Sequence, residues 1–179
     1  FFESHKSRKK AEKAVNKPII NIRQKTRQCG NCTACCDGWL KIVIHGQAVY
    51  PGKPCPYSTG SSCKIYPDRP EDPCKKFECG WLMENSPLPE TWRPDKCGVI
   101  VLFSFTTWQG MPVDAVVPAG NDPSLELLEW MRQFAVAKQR PFFWRENGNW
   151  SGYGPPAFQQ EMLEKAKKGI NPLESFRKT

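Results

Sequence analysis

The sequence predicts an α+β fold in which an irregular, metal-nucleated cysteine module packs against a small mixed α/β region, behind a basic N-terminal arm. Three observations lead there. Eight of the nine cysteines fall between residues 29 and 79, in a stretch crowded with Gly and Pro that leaves little room for regular hydrogen-bonded elements. From residue 99 onward the pattern becomes ordinary, with short apolar runs alternating with segments of helical period. The charge is concentrated at one end: residues 1–28 carry nine Lys and Arg against Glu3 and Glu12, so nearly all of the net charge of +8 lies there. The chain therefore divides into an arm (1–28), a cysteine-cluster module (29–98) and a small α+β region (99–179). The last two are expected to share one core, because neither is large.

In the arm, Glu3 to Val15 reads as a short polar helix ended by Pro18, and residues 19–28 as an extended lead into the first cysteine. A balanced body with a basic arm is unlike a uniformly basic nucleic-acid binder. The arm is expected to dock on a protein partner or a larger complex. Its charge suits nucleic-acid phosphate or an anionic lipid surface as well, but no nucleic-acid motif accompanies it. No run approaches the roughly 18 apolar residues of a membrane span, and no secretory signal pattern is present. The expectation is a cytoplasmic protein without a membrane span.

Beyond the arm, Trp39 to Val43 alternates and reads as a short strand, and residues 81–98 as a Pro-containing bridge. Val99 to Phe105 and Val113 to Val117 read as buried strands turning at Gln109-Gly110. Asp122 is expected to cap a helix with Pro123 at its first position, its apolar face formed by Leu127, Leu128, Met131, Phe134 and Ala135. Phe142 to Arg145 and Trp150 to Tyr153 flank Asn147-Gly148 as a hairpin. Pro156 to Lys168 is a second helix with Phe158, Met162 and Ala166 on one face, stopped by Gly169. Trp108, Trp144, Trp150 and Tyr153 are read as packing rather than as a binding patch. Asp114, Asp122, Glu126 and Glu129 read as turn, cap and solvated residues. No acid–base or nucleophile constellation stands out, so an enzyme is not the leading expectation.

The chemistry lies in the cysteines. Cys29, Cys32, Cys35 and Cys36 form a block whose two-residue gaps wrap the chain around one centre, with small residues between them. Amides in such a loop point inward and stabilise negative charge on sulfur. Three thiolates at this spacing plus a Cys followed by Pro is the bacterial ferredoxin arrangement for a [4Fe–4S] cluster. Cys55, followed by Pro56, is the candidate for that fourth place, though far more remote than the pattern requires. Cys63, Cys74 and Cys79 complete the set without any two-residue pair of the kind that zinc ribbons bring. His5 and His45 have no partner at ligand spacing. An all-thiolate set favours an iron–sulfur cluster, with a four-cysteine Zn2+ site as the alternative. Disulfides fit poorly with the adjacent Cys35-Cys36 and the odd total.

Cys29-x2-Cys32-x2-Cys35-Cys36, followed by Cys63-Lys-Ile-Tyr66-Pro-Asp-Arg69-Pro70-x3-Cys74-x2-Phe77, resembles the CxxCxxCC cysteine-cluster (YkgJ-like) family of zinc- or iron-chelating proteins, often labelled as Fe–S-cluster containing. Phe77-Glu-Cys79-Gly-Trp81-Leu82 and Trp92-Arg-Pro94-Asp95 are similar to one subgroup. The resemblance spans about residues 29–103. It implies metal ligation by Cys29, Cys32, Cys35, Cys36, Cys63 and Cys74, and through the subgroup by Cys55 and Cys79, while Cys97 has no counterpart and is expected to be a free thiol. Arg69 is a candidate donor to the centre, weighed against a surface pairing with Asp68, Glu71 or Asp72. Tyr66 is a candidate hydroxyl donor, weighed against a packed core residue. Phe77 and Trp81 would shield the centre from water. The function expected is an iron–sulfur protein with a structural or electron-transfer role. A zinc-stabilised interaction module and a small oxidoreductase or modifying enzyme are the alternatives.

Overall fold

The computed structural model describes residues 27–176. The helix expected over Glu3 to Val15, and all of the arm before Arg27, lie outside the described residues. Arg27 itself is tied to the body: its guanidinium donates to the carbonyls of Trp81 (2.8 Å) and Leu88 (2.7 Å) and to Glu90 (2.9 Å).

Residues 29–80 contain one small hairpin, β1 (Ile42–Ile44) and β2 (Gln47–Val49), paired antiparallel. His45 and Gly46 both take positive φ (48° and 75°), which matches the right-handed twist of a two-residue hairpin. This turn sets the register, so the strand begins at Ile42 rather than at the expected Trp39. A glycine is required just before it. Gly38 has φ 94°, and a Cβ there would overlap the Tyr50 carbonyl. Gly38→Ala is therefore expected to cost roughly 3 kcal/mol. Gly46→Ala, also at positive φ but facing open space, should cost only about 1 kcal/mol. Urea unfolding of the pair checks this, and equal losses would mean that the Gly38–Tyr50 approach is unimportant.

The expected bridge over residues 81–98 contains a short 3-10 helix at Glu90–Trp92 and a short α-helix, α1 (Pro94–Cys97). Gly98 ends it in the left-handed region at φ 70°. Its carbonyl accepts from the amides of Ala119 and Asn121, so the helix end is tied to the residues that follow β4.

The α+β expectation holds at the level of helices with a mixed sheet. β3 (Val99–Trp108) and β4 (Met111–Pro118) are antiparallel, β5 (Phe142–Glu146) runs parallel to β4, and β6 (Asn149–Tyr153) is antiparallel to β5, in the order β3-β4-β5-β6. The turn of β3 into β4 at Gln109-Gly110 and that of β5 into β6 at Asn147-Gly148 use positive φ at both residues. Successive strand residues point to opposite faces. Val99 to Leu102, Val113 to Val117, and Phe142 with Phe143 are all buried, so both faces of the sheet centre are covered, and these strands read as continuous apolar runs rather than alternating ones.

The parallel step from β4 to β5 is made through α2 (Leu125–Lys138), whose buried residues are Leu127, Leu128, Met131 and Ala135. Its cap is Ser124, which accepts from Leu127 N at 3.1 Å, and Pro123 precedes the helix. The expected cap, Asp122, instead accepts from the Asn147 amide at 3.1 Å and so braces the β5–β6 turn. α3 (Pro156–Lys167) buries Phe158 and Met162 against β6, where Gly152 lets the helix approach: a Cβ there would meet Met162 at 2.6 Å. A short helix, α4 (Pro172–Ser175), follows.

Asp114, expected at a turn or on a solvated face, is fully buried in β4. The β3–β4 register jumps between Leu102 and Thr106, so the residues between bulge opposite Asp114. Within the bulge Ser104 takes φ 50°, and its amide donates to Asp114 Oδ1 at 2.8 Å. The carboxylate thus satisfies a backbone donor that the bulge removes from the ladder.

One principal core unites the cysteine-rich segment with the sheet. Ala34, Leu40, Cys79, Trp81 and Leu88 belong to the same buried cluster as the strands and helices after residue 99. Gly80 lies along β3, its amide donating to Val101 O at 2.6 Å. A second, smaller core consists of Ile44, Val49 and Cys55, with Cys36 and Cys74 against it.

Candidate metal centre

Short turns aim the cysteines. Cys32 N donates to Cys29 O (2.9 Å), and Cys36 N and Asp37 N both donate to Thr33 O (2.7 and 2.9 Å). The buried Thr33 hydroxyl lies 3.1 Å from Gly60 O and 3.2 Å from Asp37 Oδ2, tying this loop to the next one. Cys55 N donates to Cys36 O at 2.8 Å. The bridge of Ser58 with Cys63, and Lys64 N donating to Tyr57 O, fold Cys63 back over the Cys55 turn. Cys74 sits in the irregular turn Glu71–Lys75. Cys79 O accepts from Leu82 N and Met83 N.

All eight thiols line one cavity of about 110 Å³, whose other walls include Ile42, Ile44, Ile65, Phe77, Trp81 and Leu82. None is in a disulfide. Cys97, set apart in the sequence, does not line it. Its thiol faces the carbonyls of Trp92 (3.5 Å) and Val99 (3.4 Å).

Burial is the largest influence on Cys29, Cys32, Cys35, Cys36, Cys74 and Cys79, and it raises their pKa values by penalising the thiolate. Cys35 lies well above the ordinary range through burial, then the charges of Cys79, Cys36, Cys32 and Cys29. Cys36 is pushed up to about 12 by burial, then by Cys55, Cys63 and Cys74. Cys79 reaches about 11 through burial, with the amides of Leu82 and Trp81 pulling the other way. Cys32 is raised by burial and drawn back by the amides of Ala34 and Asp95. Without a cation such a cavity favours neutral thiols, whereas a coordinating metal ion deprotonates its thiol ligands outright. Cys29 and Cys74 are also raised by burial, and Arg69 lowers both.

Two residues of the cavity wall also carry unpartnered buried donors. Among the described residues, four buried side-chain polar atoms lack a hydrogen-bond partner: Arg69 Nε, Trp81 Nε1, Asp114 Oδ2 and Arg140 Nε. The last two face each other as an ion pair at 2.9 Å. The remaining two belong to residues that line the thiol cavity. Arg69 has no acidic partner among the described residues. Glu71, expected to compete for it, stands 3.9 Å from Lys75 instead. Tyr66 is not a packed core residue: it is 43 % exposed, and its ring carries the Arg69 guanidinium at 3.9 Å. The ring face, rather than the hydroxyl, is the engaged part. Trp81 is buried and Phe77 partly so, as residues that exclude water would be.

Two supports escaped the sequence reading. Arg93 donates to Asn31 Oδ1 at 2.6 Å and to both oxygens of Asp95, clamping the first cysteine loop to α1. Its signal was in plain view, inside the Trp92-Arg-Pro94-Asp95 segment. Arg27 was counted with the arm although it anchors the body. A larger cavity of about 620 Å³ adjoins the thiols and shares Cys29, Tyr66, Arg69 and Cys74 as walls, leaving this side of the centre accessible from outside.

Among the described residues no three His, Cys, Asp or Glu side chains, as they stand, form a group that could hold a metal ion. No protein-family model, no curated protein and no solved structure matches the chain. Among the described residues no helix is long and apolar enough to cross a membrane.

Proposed function

We propose that the chain binds an iron–sulfur centre of the [4Fe–4S] type through its clustered thiolates, in a structural or electron-transfer role within a larger assembly. One observation carries this: eight free thiols line a single apolar-walled cavity, and the buried side-chain donors left without partners, Arg69 Nε and Trp81 Nε1, belong to its wall. Unmet buried donors cost about 1–3 kcal/mol each. Thiolate and sulfide are acceptors they can meet, so the donor set and its surroundings fit an anionic sulfur-ligated group. When bound, such a group supplies one-electron chemistry at a potential set by charge, hydrogen bonds to sulfur and exposure. The chain's own residues ligate through the cysteines, offset negative charge through Arg69, and exclude water through Trp81 and Phe77.

The same thiolates suit Zn2+, which would make the module a zinc-stabilised interaction unit. The basic arm is proposed to dock on an acidic surface of a protein partner. Anaerobic purification followed by iron, sulfide and zinc analysis decides the metal. A brown protein bleached by dithionite is the expected result, and a colourless one with stoichiometric zinc would replace the cluster with the ion. Cys97→Ser should leave the metal content unchanged; a loss there would mean that the ligands are misassigned.

A further inference from the structure

Resting on the metal-binding reading above, we propose that the cavity holds two separate four-thiolate centres, one on Cys29, Cys32, Cys35 and Cys79 and the other on Cys36, Cys55, Cys63 and Cys74. Eight ligands satisfy two four-coordinate sites, and the division follows how the chain packs. Cys79 belongs to the principal core, and Cys32 and Cys35 pack against that core. Cys55 belongs to the smaller core beside Ile44 and Val49, and Cys36 and Cys74 pack against that one. The doublet Cys35-Cys36 is the fork: neighbouring side chains go to different cores.

Backbone links draw the same line. Cys29 and Cys32 share one tight turn, and Cys79 is held to β3 by the hydrogen bond from Gly80 to Val101. On the other side, Cys55 N bonds Cys36 O, the Ser58–Cys63 bridge returns Cys63 to the Cys55 turn, and the turn bearing Cys74 packs on β1.

Arg69 is shared. It lines the cavity together with Cys29 of the first set and Cys74 of the second, and the same three residues also line the larger cavity beside it. A four-thiolate centre carries net negative charge, so two side by side repel, and a guanidinium between them offsets that repulsion. Arg69 is thus a positioning residue for both centres.

Metal content per folded chain tests the division, with iron and sulfide or zinc measured after anaerobic purification. The native chain should hold two equivalents of centre, and Cys32→Ser and Cys63→Ser one each. Release to a chelator from the native chain, which needs no variant to fold, should show two phases of equal amplitude. Arg69→Gln should speed both phases, with Arg69→Lys closer to native. A single equivalent in the native chain, or release in one phase from the native chain, overturns the division. A change in only one phase with Arg69→Gln overturns the shared role of Arg69. A chain that binds neither iron nor zinc removes the metal reading itself, a result distinct from one equivalent.

Discussion

Stripped of its proposed metal, the chain should lose its structure between residues 29 and 80 while strands β3 to β6 persist. Apart from Ala34, Leu40 and Cys79, which it lends to the principal core, the segment has one hairpin of three-residue strands and a satellite core of three buried residues, whereas ordering each residue costs about 1–2 kcal/mol of backbone entropy. Hairpins of this size are marginal on their own. Bonds from thiolates to a structural metal contribute folding free energy directly, on the order of 10 kcal/mol per site. The sheet region differs because its core is continuous and it retains the ladder from β3 through β6. Trypsin offers a clean measurement, since Lys41, Lys64, Lys75 and Lys76 punctuate the segment, none of them followed by proline. Cleavage at these sites should accelerate at least about a hundredfold after anaerobic chelation under reducing conditions, corresponding to roughly 3 kcal/mol of local stability. Cuts within β3 to β6 should stay slow. Equal cleavage of loaded and stripped protein would show that the loops hold themselves and that metal is not what orders them.

The parts of the fold legible in the sequence are those set by local pattern. Apolar runs gave β3 and β4 to within a few residues, and Asn147-Gly148 gave the β5–β6 hairpin, because each signal is contained in a handful of consecutive side chains. The helices were visible in Leu127, Leu128, Met131 and Ala135 and in Phe158 and Met162. What the sequence hid depends on distant partners. Asp114 looked like a turn residue because nothing nearby in the chain reveals that a bulge at Ser104 will need its carboxylate. Asp122 looked like a cap because Ser124, two residues on, competes for that place through its own hydroxyl. In the candidate centre the residue types were readable and the core each packs against was not. Cys55 has the following proline of the ferredoxin pattern but belongs to the smaller core with Ile44 and Val49, whereas Cys79, whose neighbour Gly80 is fastened to β3, belongs to the principal core. The exposed ring of Tyr66 under Arg69 could not be foreseen either, because it follows from which side of the loop meets solvent.

Replacing Arg140 by Met should destabilise the protein by about 3–5 kcal/mol at pH 7.5, the cost of leaving one half of a buried ion pair alone. Arg140 Nε lies 2.9 Å from Asp114 Oδ2, its Nη1 donates to the Ser104 hydroxyl at 3.2 Å, and its guanidinium stacks near Phe134 and Phe103. Even with this partner, burial raises the Asp114 carboxyl to about 6, with the Ser104 amide and Arg140 pulling downward. A native pKa above the unfolded value means that the folded state binds the extra proton. The stability linked to this group is fully present below about pH 4 and is lost as the pH rises through about 6. Without Arg140 the native pKa climbs further, so the variant's deficit should be largest above pH 7 and should shrink once Asp114 is protonated in both proteins. The residue left at pH 5 is the lost stacking on Phe103 and Phe134 and the lost bond to Ser104. Urea unfolding at pH 7.5 and pH 5.0 reads the difference, and Arg140→Lys, which keeps the charge but not the planar stack, should fall between. An Arg140→Met deficit equal at both pH values would show that Asp114 is not the charge that Arg140 holds in place, and that the bulge of β3 rests on packing alone.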